Sequence, residues 1–379
     1  MKHILATVLL AAFVVGPARP AQGAKVIKHV TVYYEPGRFG GWPANHGIWA
    51  WGKEIVVGFS AAYFQLNNFD GHPYDRTKPE EPHLARSLDG GETWRIEPAP
   101  FLVPPEGMYT GSGPGRKASD LTAPLDFTQP DFCMTLRMTE GQKGRSWLFY
   151  SYDRGKTWTG PVNFPMLGQS AIMARTDYIV NGKRDAMVFL TAAKPNGREG
   201  RPLCARTQDG GRTWEFVAWV APDPKDGFSI MPSSVRLSQT RILTTVRHED
   251  SLRKGPNWID AYFSNDSGKT WEFLSRPAPD TGEKSGNPPS LIRLRDGRLA
   301  ITYGHRAPPF EIRARLSADN GKTWGEEILL RGDGAAWDIG YTRTVQRADG
   351  KIVTVYYWAP EKDKERIIAA TIWDPGPAR

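Results

Sequence analysis

Three arginines are the first candidates for chemistry in this sequence. Arg247 and Arg306 each end an apolar, strand-like run, and Arg38 lies in the Gly-rich segment 36–43. Guanidinium groups fit a carboxylate through paired N–H bonds. A single arginine is more often part of a surface salt bridge, but three at matching positions favour a site for an anionic group.

Four histidines also fall in loops or beside predicted strand ends: His46, His72, His248 and His305. Imidazole gains and loses a proton near neutral pH, which suits it to general acid or base work. Each histidine alone is more often a polar loop residue. Together they leave open a reaction in which a histidine acts as the acid or the base.

Five copies of one motif, Ser/Thr-x-Asp-x-Gly-x-Thr-Trp, indicate the elements that must position these side chains. The aspartates of successive copies are 64, 56, 57 and 53 residues apart. Such spacing is typical of a repeat architecture. The five aspartates are Asp89, Asp153, Asp209, Asp266 and Asp319.

Each residue type in the motif has a structural task. The aspartate accepts backbone N–H groups two residues on and closes a turn. The glycine takes the left-handed backbone conformation that the turn needs, and the tryptophan packs its ring between repeats. None of these tasks is chemistry, so fold and activity have to be argued separately.

The motif is the Asp-box, and with five copies the sequence resembles the sialidase (neuraminidase) superfamily. The resemblance implies an all-β fold, a six-bladed β-propeller whose blades are four-stranded antiparallel sheets. On a scaffold of this kind, function is expected in the loops around the central funnel.

Asp-Gly hairpins between apolar runs recur between the Asp-boxes, as in 290–303 and 342–355, and predict strand pairs. Asp-box turns and hairpins are expected on one face, and the longer connections on the other. The sixth blade offers three strands, so segment 26–34 is expected to pair with this C-terminal blade and close the ring. The blades are predicted at residues 46–100, 120–163, 170–220, 228–277, 287–330 and 337–379.

The resemblance implies roles for residues around the funnel. Arg38 has the place of the first of three arginines that hold a substrate carboxylate, Arg247 the second and Arg306 the third. Arg137, which ends the second strand of the second blade, is a spare. Trp42 is expected among the residues that bind the sugar.

Tyr341 has the place of the family's nucleophile. A phenol has an ordinary pKa of about 10 and needs a nearby base to attack an anomeric carbon. The Glu partner that the resemblance implies belongs before the first strand of the fourth blade, where 230–235 contain no carboxylate. For the acid/base role the sequence offers Asp70 and Asp75, and we favour Asp75, although an Asp in this context can also be a turn-forming residue.

Three functions stay open. The first is a glycoside hydrolase of exo-α-sialidase type that acts on a terminal acidic sugar, with Tyr341 as nucleophile and Asp75 as acid/base. The second is a related hydrolase or lyase for a polysaccharide containing uronate or rhamnose, with His46 or His72 in the acid/base role. The third is a non-catalytic glycan-binding propeller. A carboxylate or a histidine beside the Tyr341 hydroxyl would distinguish the first two.

The charge composition limits the kinds of molecule that the protein is expected to bind. The net charge of +8 and the isoelectric point of about 9.3 favour attraction to an acidic glycan. The basic residues are scattered and form no Lys/Arg run, which argues against nucleic acid. No cofactor is expected.

The N-terminal segment 1–23 has the charged start, short apolar run and small residues of a secretory signal peptide. This predicts a secreted or periplasmic protein in which 24–379 form the propeller and no membrane span is left. We expect a monomer. Cys133 and Cys204 lie in apolar runs of different blades and are expected to be buried thiols.

Overall fold

Six β-sheets make up the described part of the chain, and each is formed of antiparallel strand pairs. This is the all-β, six-bladed propeller that the repeats predict. No helix of membrane-spanning length and apolarity occurs in the described part of the chain. The predicted signal peptide, except Gly23, and the candidate Asp70 lie outside the described residues. The structure is a computed structural model that describes residues 23–66, 71–105, 116–141, 143–251 and 254–378.

The strands follow the chain from sheet to sheet. The first strand and the first three sheets are β1 (Lys25–Tyr33); β2 (Arg38–Gly41), β3 (Ile48–Trp51), β4 (Glu54–Tyr63), β5 (Glu81–Ser87) and β6 (Arg95–Pro98); β7 (Cys133–Met138), β8 (Ser146–Ser151) and β9 (Thr159–Asn163); and β10 (Ile172–Met173), β11 (Tyr178–Gly182), β12 (Asp185–Ala193), β13 (Glu199–Thr207) and β14 (Glu215–Trp219). The last three sheets contain β15 (Phe228–Arg236), β16 (Ile242–Glu249), β17 (Asn257–Ser264) and β18 (Glu272–Ala278); β19 (Ser290–Arg293), β20 (Leu299–His305), β21 (Phe310–Ser317) and β22 (Ile328–Gly334); and β23 (Gly340–Gln346), β24 (Ile352–Trp358) and β25 (Ile367–Asp374).

The Asp-box turns form the hydrogen bonds that their residue types predict. In the first turn, Asp89 Oδ1 accepts the Thr93 N–H at 3.0 Å, and Asp89 Oδ2 accepts the Thr93 hydroxyl at 2.5 Å. Gly91 has a φ of 90° and donates its N–H to Ser87 Oγ at 2.7 Å. The same Asp–Thr pair of bonds recurs in the other four turns.

The core lies between neighbouring sheets. Between the first and the sixth sheet, for example, Val57 and Phe59 pack with Val355 and Ile368. Each Asp-box tryptophan joins one of these apolar clusters, as the motif predicts: Trp94, Trp158, Trp214, Trp271 and Trp324. Cys133 and Cys204 are both buried free thiols.

The sixth sheet contains both ends of the described chain. β1 pairs with β25 in antiparallel register, from Lys25 opposite Asp374 to Tyr33 opposite Ile368. The resulting strand order is β1-β25-β24-β23. The first strand and the last strand therefore share one sheet.

Three details differ from the predicted strand order. In the third sheet the inner strand is split into β10 and β11, which both pair with β12. The 3₁₀ turn Pro43–Asn45 splits the inner strand of the first sheet into β2 and β3, and both pair with β4. This inner strand therefore begins at Arg38, upstream of the predicted start. In the second sheet, three strands, β7, β8 and β9, are present in the described residues.

The two faces of the ring are distinct. The Gly90 N–H donates to the Lys53 carbonyl at 2.8 Å, and Arg347 donates to Glu92 at 3.0 Å, so Asp-box turns contact hairpins on one face. Because antiparallel strands reverse at each end, the connections between second and third strands lie at the opposite face. That face carries the candidate site.

Replacing Asp266 with Ala is expected to lower the free energy of unfolding by about 1–2 kcal/mol, because the Thr270 N–H and hydroxyl lose their acceptor. Urea unfolding measures the change. Asp223→Ala, at an exposed position, is the control and should change stability by no more than about 0.5 kcal/mol. Equal stability of the two variants would contradict a structural role for the Asp-box.

Candidate active site

A pocket of about 170 Å³ lies on the face opposite the Asp-box turns. Its walls come from four different sheets. Residues from the loop between β4 and β5, the end of β7, the segment after β10 and the start of β23 meet here. The lining residues with ionisable or aromatic groups include Trp42, His72, Glu80, Arg137, Arg175 and Tyr341.

Tyr341 is held in an uncommon backbone conformation. Its φ is 50°, a left-handed value that few residues other than glycine adopt. The Asn287 side chain accepts the Tyr341 N–H at 2.8 Å and fixes the start of β23. The Tyr341 hydroxyl is 3.3 Å from Arg247 Nη1, which donates to it. Strained positions of this kind concentrate at functional sites.

Positive charge surrounds the Tyr341 ring. The Arg247 and Arg306 guanidinium carbons lie 5.8 and 5.4 Å from the ring centre. Burial by itself raises the pKa of Tyr341, but the charges of Arg247, Arg306 and Arg175 outweigh it and lower the pKa below the ordinary 10.0. The phenol is therefore closer to ionisation than a free tyrosine.

Of the three arginines predicted to act together, Arg247 and Arg306 come together and Arg38 does not join them. Arg38 donates to Glu81 at 2.7 Å and to the Ala61 carbonyl at 3.3 Å, and it stacks 4.1 Å from the centre of the Tyr63 ring. These contacts tie Arg38 into the first sheet, away from Tyr341.

Three other arginines line the pocket, Arg76, Arg137 and Arg175. Arg137, predicted as a spare, donates to the Asn45 carbonyl at 3.3 Å, and its Nε has no hydrogen-bond partner among the described residues. Arg175, which the sequence analysis did not single out, makes a double ion pair with Glu199, with one bond at 3.0 Å. Arg137 thus has donor capacity that points to a ligand.

Glu80 is the main residue that the sequence analysis missed. Burial raises the pKa of Glu80 to about 8, against the opposing effects of the Tyr74 and Ser60 hydroxyls and of Arg137. Its Oε1 is buried and has no hydrogen-bond partner in the described part of the chain. Glu81, the first residue of β5, reaches Arg38, while Glu80, directly before it, lines the pocket, as expected where side chains alternate in extended chain. This alternation was the available signal.

Asp75, the favoured acid/base candidate, has the properties of a turn residue. Its carboxylate accepts the Thr77 N–H at 2.9 Å and the Thr77 hydroxyl at 2.6 Å, and Lys78 lies 3.7 Å away. The Thr77 bonds lower the pKa of Asp75. A carboxylate with a lowered pKa is a poor proton donor, so the structure supports the turn interpretation.

The candidate histidines differ in their surroundings. His72 Nδ1 lies 2.6 Å from Asp338, a carboxylate that is 1% exposed, and the His72 ring packs edge-on to Trp42. His46 is buried, with Nε2 3.0 Å from Ser60 Oγ, and burial lowers its pKa well below the ordinary value. His248 contacts Ser229, outside the pocket lining.

Asp338 anchors the wall behind Tyr341. Burial opposes ionisation, but the charge and hydrogen bond of His72 and the charges of Arg366 and Arg306 lower the pKa of Asp338 to about 2. The Tyr357 hydroxyl donates to Asp338 at 2.5 Å. Asp338 is therefore an ionised carboxylate that orients His72 and Tyr357.

The arrangement combines a protonated carboxyl group, a phenol poised for ionisation and a free guanidinium edge in one pocket. It can donate a proton and supply a nucleophile to the same bound molecule.

The comparisons with known proteins agree with the fold. Residues 132–354, more than half of the sequence, match the family described as BNR repeat-like domain.

The chain belongs to this BNR repeat-like family.

Solved structures share the fold of this BNR repeat-like protein. A protein of unknown function from Dyadobacter fermentans is 21% identical with a TM-score of 0.69, over 93% of this chain and 99% of that one. A Trypanosoma rangeli sialidase mutant displaying trans-sialidase activity is 13% identical with a TM-score of 0.59, over 94% of this chain and 60% of that one. Penicillium chrysogenum α-L-arabinanase, in complex with arabinobiose, is 13% identical with a TM-score of 0.59, over 93% and 99%.

At these identities the similarity establishes the propeller fold and no more. No curated protein matches the sequence. The activity of this BNR repeat-like protein has to be argued from its own pocket.

Proposed function

We propose that the protein is a glycoside hydrolase that removes a terminal acidic sugar from a glycan, with Tyr341 as nucleophile and Glu80 as general acid. One observation carries the proposal: two titratable groups in one pocket have pKa values displaced in opposite directions, the carboxyl upward and the phenol downward. Such a displaced pair is how acid and nucleophile roles are divided at one pH.

The chemistry needs two displacements. In the first, Tyr341 attacks the anomeric carbon as the phenolate, after its proton has passed to water, the glycosidic C–O bond breaks, and the leaving oxygen takes the proton of Glu80. In the second, water attacks the anomeric carbon, Glu80 takes the water proton, and the tyrosyl oxygen leaves. Two displacements at one carbon retain its configuration.

Arg137 supports the acidic class of substrate. With Glu80 protonated and Arg175 paired with Glu199, the charge on Arg137 lacks a fully bound partner in the pocket. A substrate carboxylate would supply that partner through charge-assisted hydrogen bonds. Similar structures include a sialidase and an arabinanase, and Arg137 is the reason to favour an acidic sugar over a neutral one.

A release assay tests the function. Aryl glycosides of sialic acid, of uronic acids and of neutral sugars are incubated with the purified protein, and liberated phenol is measured. The proposal expects release from an acidic glycoside, with the anomeric configuration of the first product retained. Release confined to neutral glycosides would overturn the substrate class, and inverted product would overturn Tyr341 as nucleophile.

Arg137→Met is expected to raise KM for the acidic substrate by roughly 10- to 100-fold, because loss of one charge-assisted bond weakens binding by roughly 1.5–3 kcal/mol. KM for an uncharged amide analogue of the same sugar should stay unchanged. Arg212→Met, at an exposed position on the Asp-box face, is the matched control. An equal rise in KM for both substrates would remove Arg137 from recognition of the charge.

The contact between His72 and Asp338 favours a second candidate, a lyase for uronate-containing polysaccharide. A buried carboxylate at 2.6 Å orients the His72 ring beside the pocket, as a proton-transferring histidine requires. Product mass separates the two candidates. Hydrolysis adds one water to the cleaved glycan, whereas elimination adds none and leaves a carbon–carbon double bond.

We also propose that the protein acts outside the cytoplasm, as the predicted signal peptide implies. The substrate would be a glycan met outside the cytoplasm, after removal of residues 1–23, by a monomeric enzyme. The net charge of +8 favours encounter with acidic glycans.

A further inference from the structure

The hydroxyl of Tyr341 faces cations where a base was expected. Among the described residues its hydrogen-bond partner is Arg247, at 3.3 Å, and neither a carboxylate nor a histidine bonds to it. Met231, beside the Arg247 guanidinium, also has a left-handed φ of 55°. The nucleophile proposed above therefore lacks the acid–base partner that its family resemblance implies.

The remaining donors of Arg247 are bound to the protein. Nε and Nη2 donate to one carbonyl, that of Ser285, at 2.8 and 2.6 Å. Nη1 contacts Tyr341 and the sulfur of Met231. Arg247 is 4% exposed. A substrate carboxylate would have to displace a backbone carbonyl to bind Arg247 side-on.

Arg306 is bound in the same way. Its Nε donates to the Ile339 carbonyl at 3.2 Å, its Nη1 to the Lys284 carbonyl at 3.3 Å, and its Nη2 to the Tyr357 hydroxyl at 2.5 Å. The side chain is 2% exposed. Both guanidinium groups are thus desolvated and directed at Tyr341, with their hydrogen-bonding edges occupied.

The segment that supplies the carbonyls is firmly placed. Lys284 and Ser285 have φ values of 52° and 67°, which turn their carbonyls toward the two arginines. The Thr281 carbonyl accepts the Arg306 N–H at 3.0 Å, and Gly286 bonds back to Glu283 at 2.9 Å. Left-handed residues in succession cost conformational energy, and here they place both carbonyls within hydrogen-bond distance of the two guanidinium groups.

We infer that Arg247 and Arg306 act on Tyr341 and not on the substrate: they orient its hydroxyl and stabilise the phenolate that remains once its proton has passed to water, so that Tyr341 does not need the glutamate base that the family resemblance implies. The carbonyls of Lys284 and Ser285 hold the two guanidinium groups in place. The inference rests on the proposed role of Tyr341 as nucleophile, and it leaves Arg137 to bind the acidic group of the sugar.

Other charged groups near Tyr341 support this assignment. Arg175, which follows β10 in the sequence, adds positive charge near Tyr341. Tyr357 on β24 packs edge-on at 5.8 Å between ring centres, and burial keeps its own pKa well above the ordinary value, so it stays neutral. Asp338 is 4.0 Å from Arg306 and is engaged with His72 and Tyr357. The apolar neighbours from the 3₁₀ turn and β15 carry no charge.

Tyrosine titration tests the inference without substrate. The ultraviolet absorbance of phenolate is followed with pH in the protein and in Tyr341→Phe, and the difference gives the midpoint of Tyr341. We expect that midpoint below the ordinary value of about 10. In Arg247→Gln it should rise by about one pH unit or more, a tenfold change in the acid dissociation constant. Each variant is paired with its own Tyr341→Phe double mutant.

Arg306→Gln gives the same readout independently if Arg247→Gln does not fold. Arg38→Gln is the matched control, since Arg38 is bound to Glu81 in the first sheet, and it should leave the midpoint unchanged. A wild-type midpoint at or above that of free tyrosine, or no shift in either glutamine variant, would overturn the inference.

Kinetics separates this role from carboxylate binding. Arg247→Gln should lower kcat by a similar factor on the acidic glycoside and on its uncharged amide analogue, with KM unchanged. A rise in KM confined to the acidic glycoside would assign Arg247 to the substrate and overturn the inference. Because the titration needs no turnover, failure of the hydrolase proposal and failure of this inference are distinguishable.

Discussion

Tyr341→Phe is expected to reduce turnover of the acidic glycoside by at least about 10⁴-fold, the scale of loss when a covalent nucleophile is removed. The variant lacks the oxygen that bonds to the anomeric carbon. It keeps the ring, the packing against Tyr357 and the backbone bond to Asn287. Stability should therefore change by no more than about 1 kcal/mol, and the activity loss can be assigned to chemistry.

The measurement is steady-state phenol release, with urea unfolding as the check on stability. Tyr152→Phe is the control, because the Tyr152 hydroxyl is also hydrogen-bonded but lies near Asp126, outside the pocket lining. It should keep normal turnover. If Tyr341→Phe retained turnover within about tenfold of wild type, the two-displacement mechanism would be wrong.

Glu80→Gln is expected to lower kcat/KM by about 10²–10⁴-fold for substrates with a poor leaving group, since no proton is supplied to the departing oxygen. The loss should be much smaller for aryl glycosides whose phenol is acidic, because their leaving group needs no proton. Wild-type activity should fall as the pH rises through about 8, where Glu80 ionises.

Glu80→Gln is expected to raise the stability of the protein at neutral pH, although it lowers the activity. The pKa of Glu80 is higher in the folded protein, about 8, than its ordinary value of 4.5, so folding takes up a proton between these values. Stability of the wild type therefore falls as pH rises through this window. Glutamine cannot ionise, so Glu80→Gln should be more stable than wild type at neutral pH and lose this advantage below pH 4.5.

Glu81→Gln is the matched control for Glu80. The two glutamates are adjacent, but Glu81 pairs with Arg38. Its substitution should leave the leaving-group dependence of kcat/KM unchanged and should not give the pH-dependent gain in stability. The same leaving-group dependence in both variants would show that the effect comes from the strand and not from the proton of Glu80.

Predictions that rest on local contacts and predictions that depend on contacts between sheets had different outcomes. The prediction of six blades was accurate because each Asp-box turn is built from contacts within a few residues, such as Asp89 to Thr93. The prediction that Arg38, Arg247 and Arg306 share a site depended on contacts between sheets. Arg38 found a partner in Glu81, and that pairing follows from the register of β2 and β5 with β4.

The prediction of the acid/base residue was limited in the same way, because it also depended on contacts between distant residues. Asp75 and Glu80 lie in one connection, five positions apart, and both are plausible carboxylates in the sequence. What distinguishes them is burial, because Glu80 is 5% exposed while Asp75 keeps the bonds of a turn. Burial depends on residues distant in sequence, such as Ser60 and Arg137.

The sequence by itself determined the repeat, the Asp-box turns of five sheets and the face on which the longer connections meet, because local hydrogen bonds and strand alternation suffice for these. The tertiary structure alone decided which side chains share the pocket and how easily each ionises. Glu80, Arg137 and Tyr341 come from three sheets. Their pKa values follow from desolvation and from charges brought close only when the ring is complete.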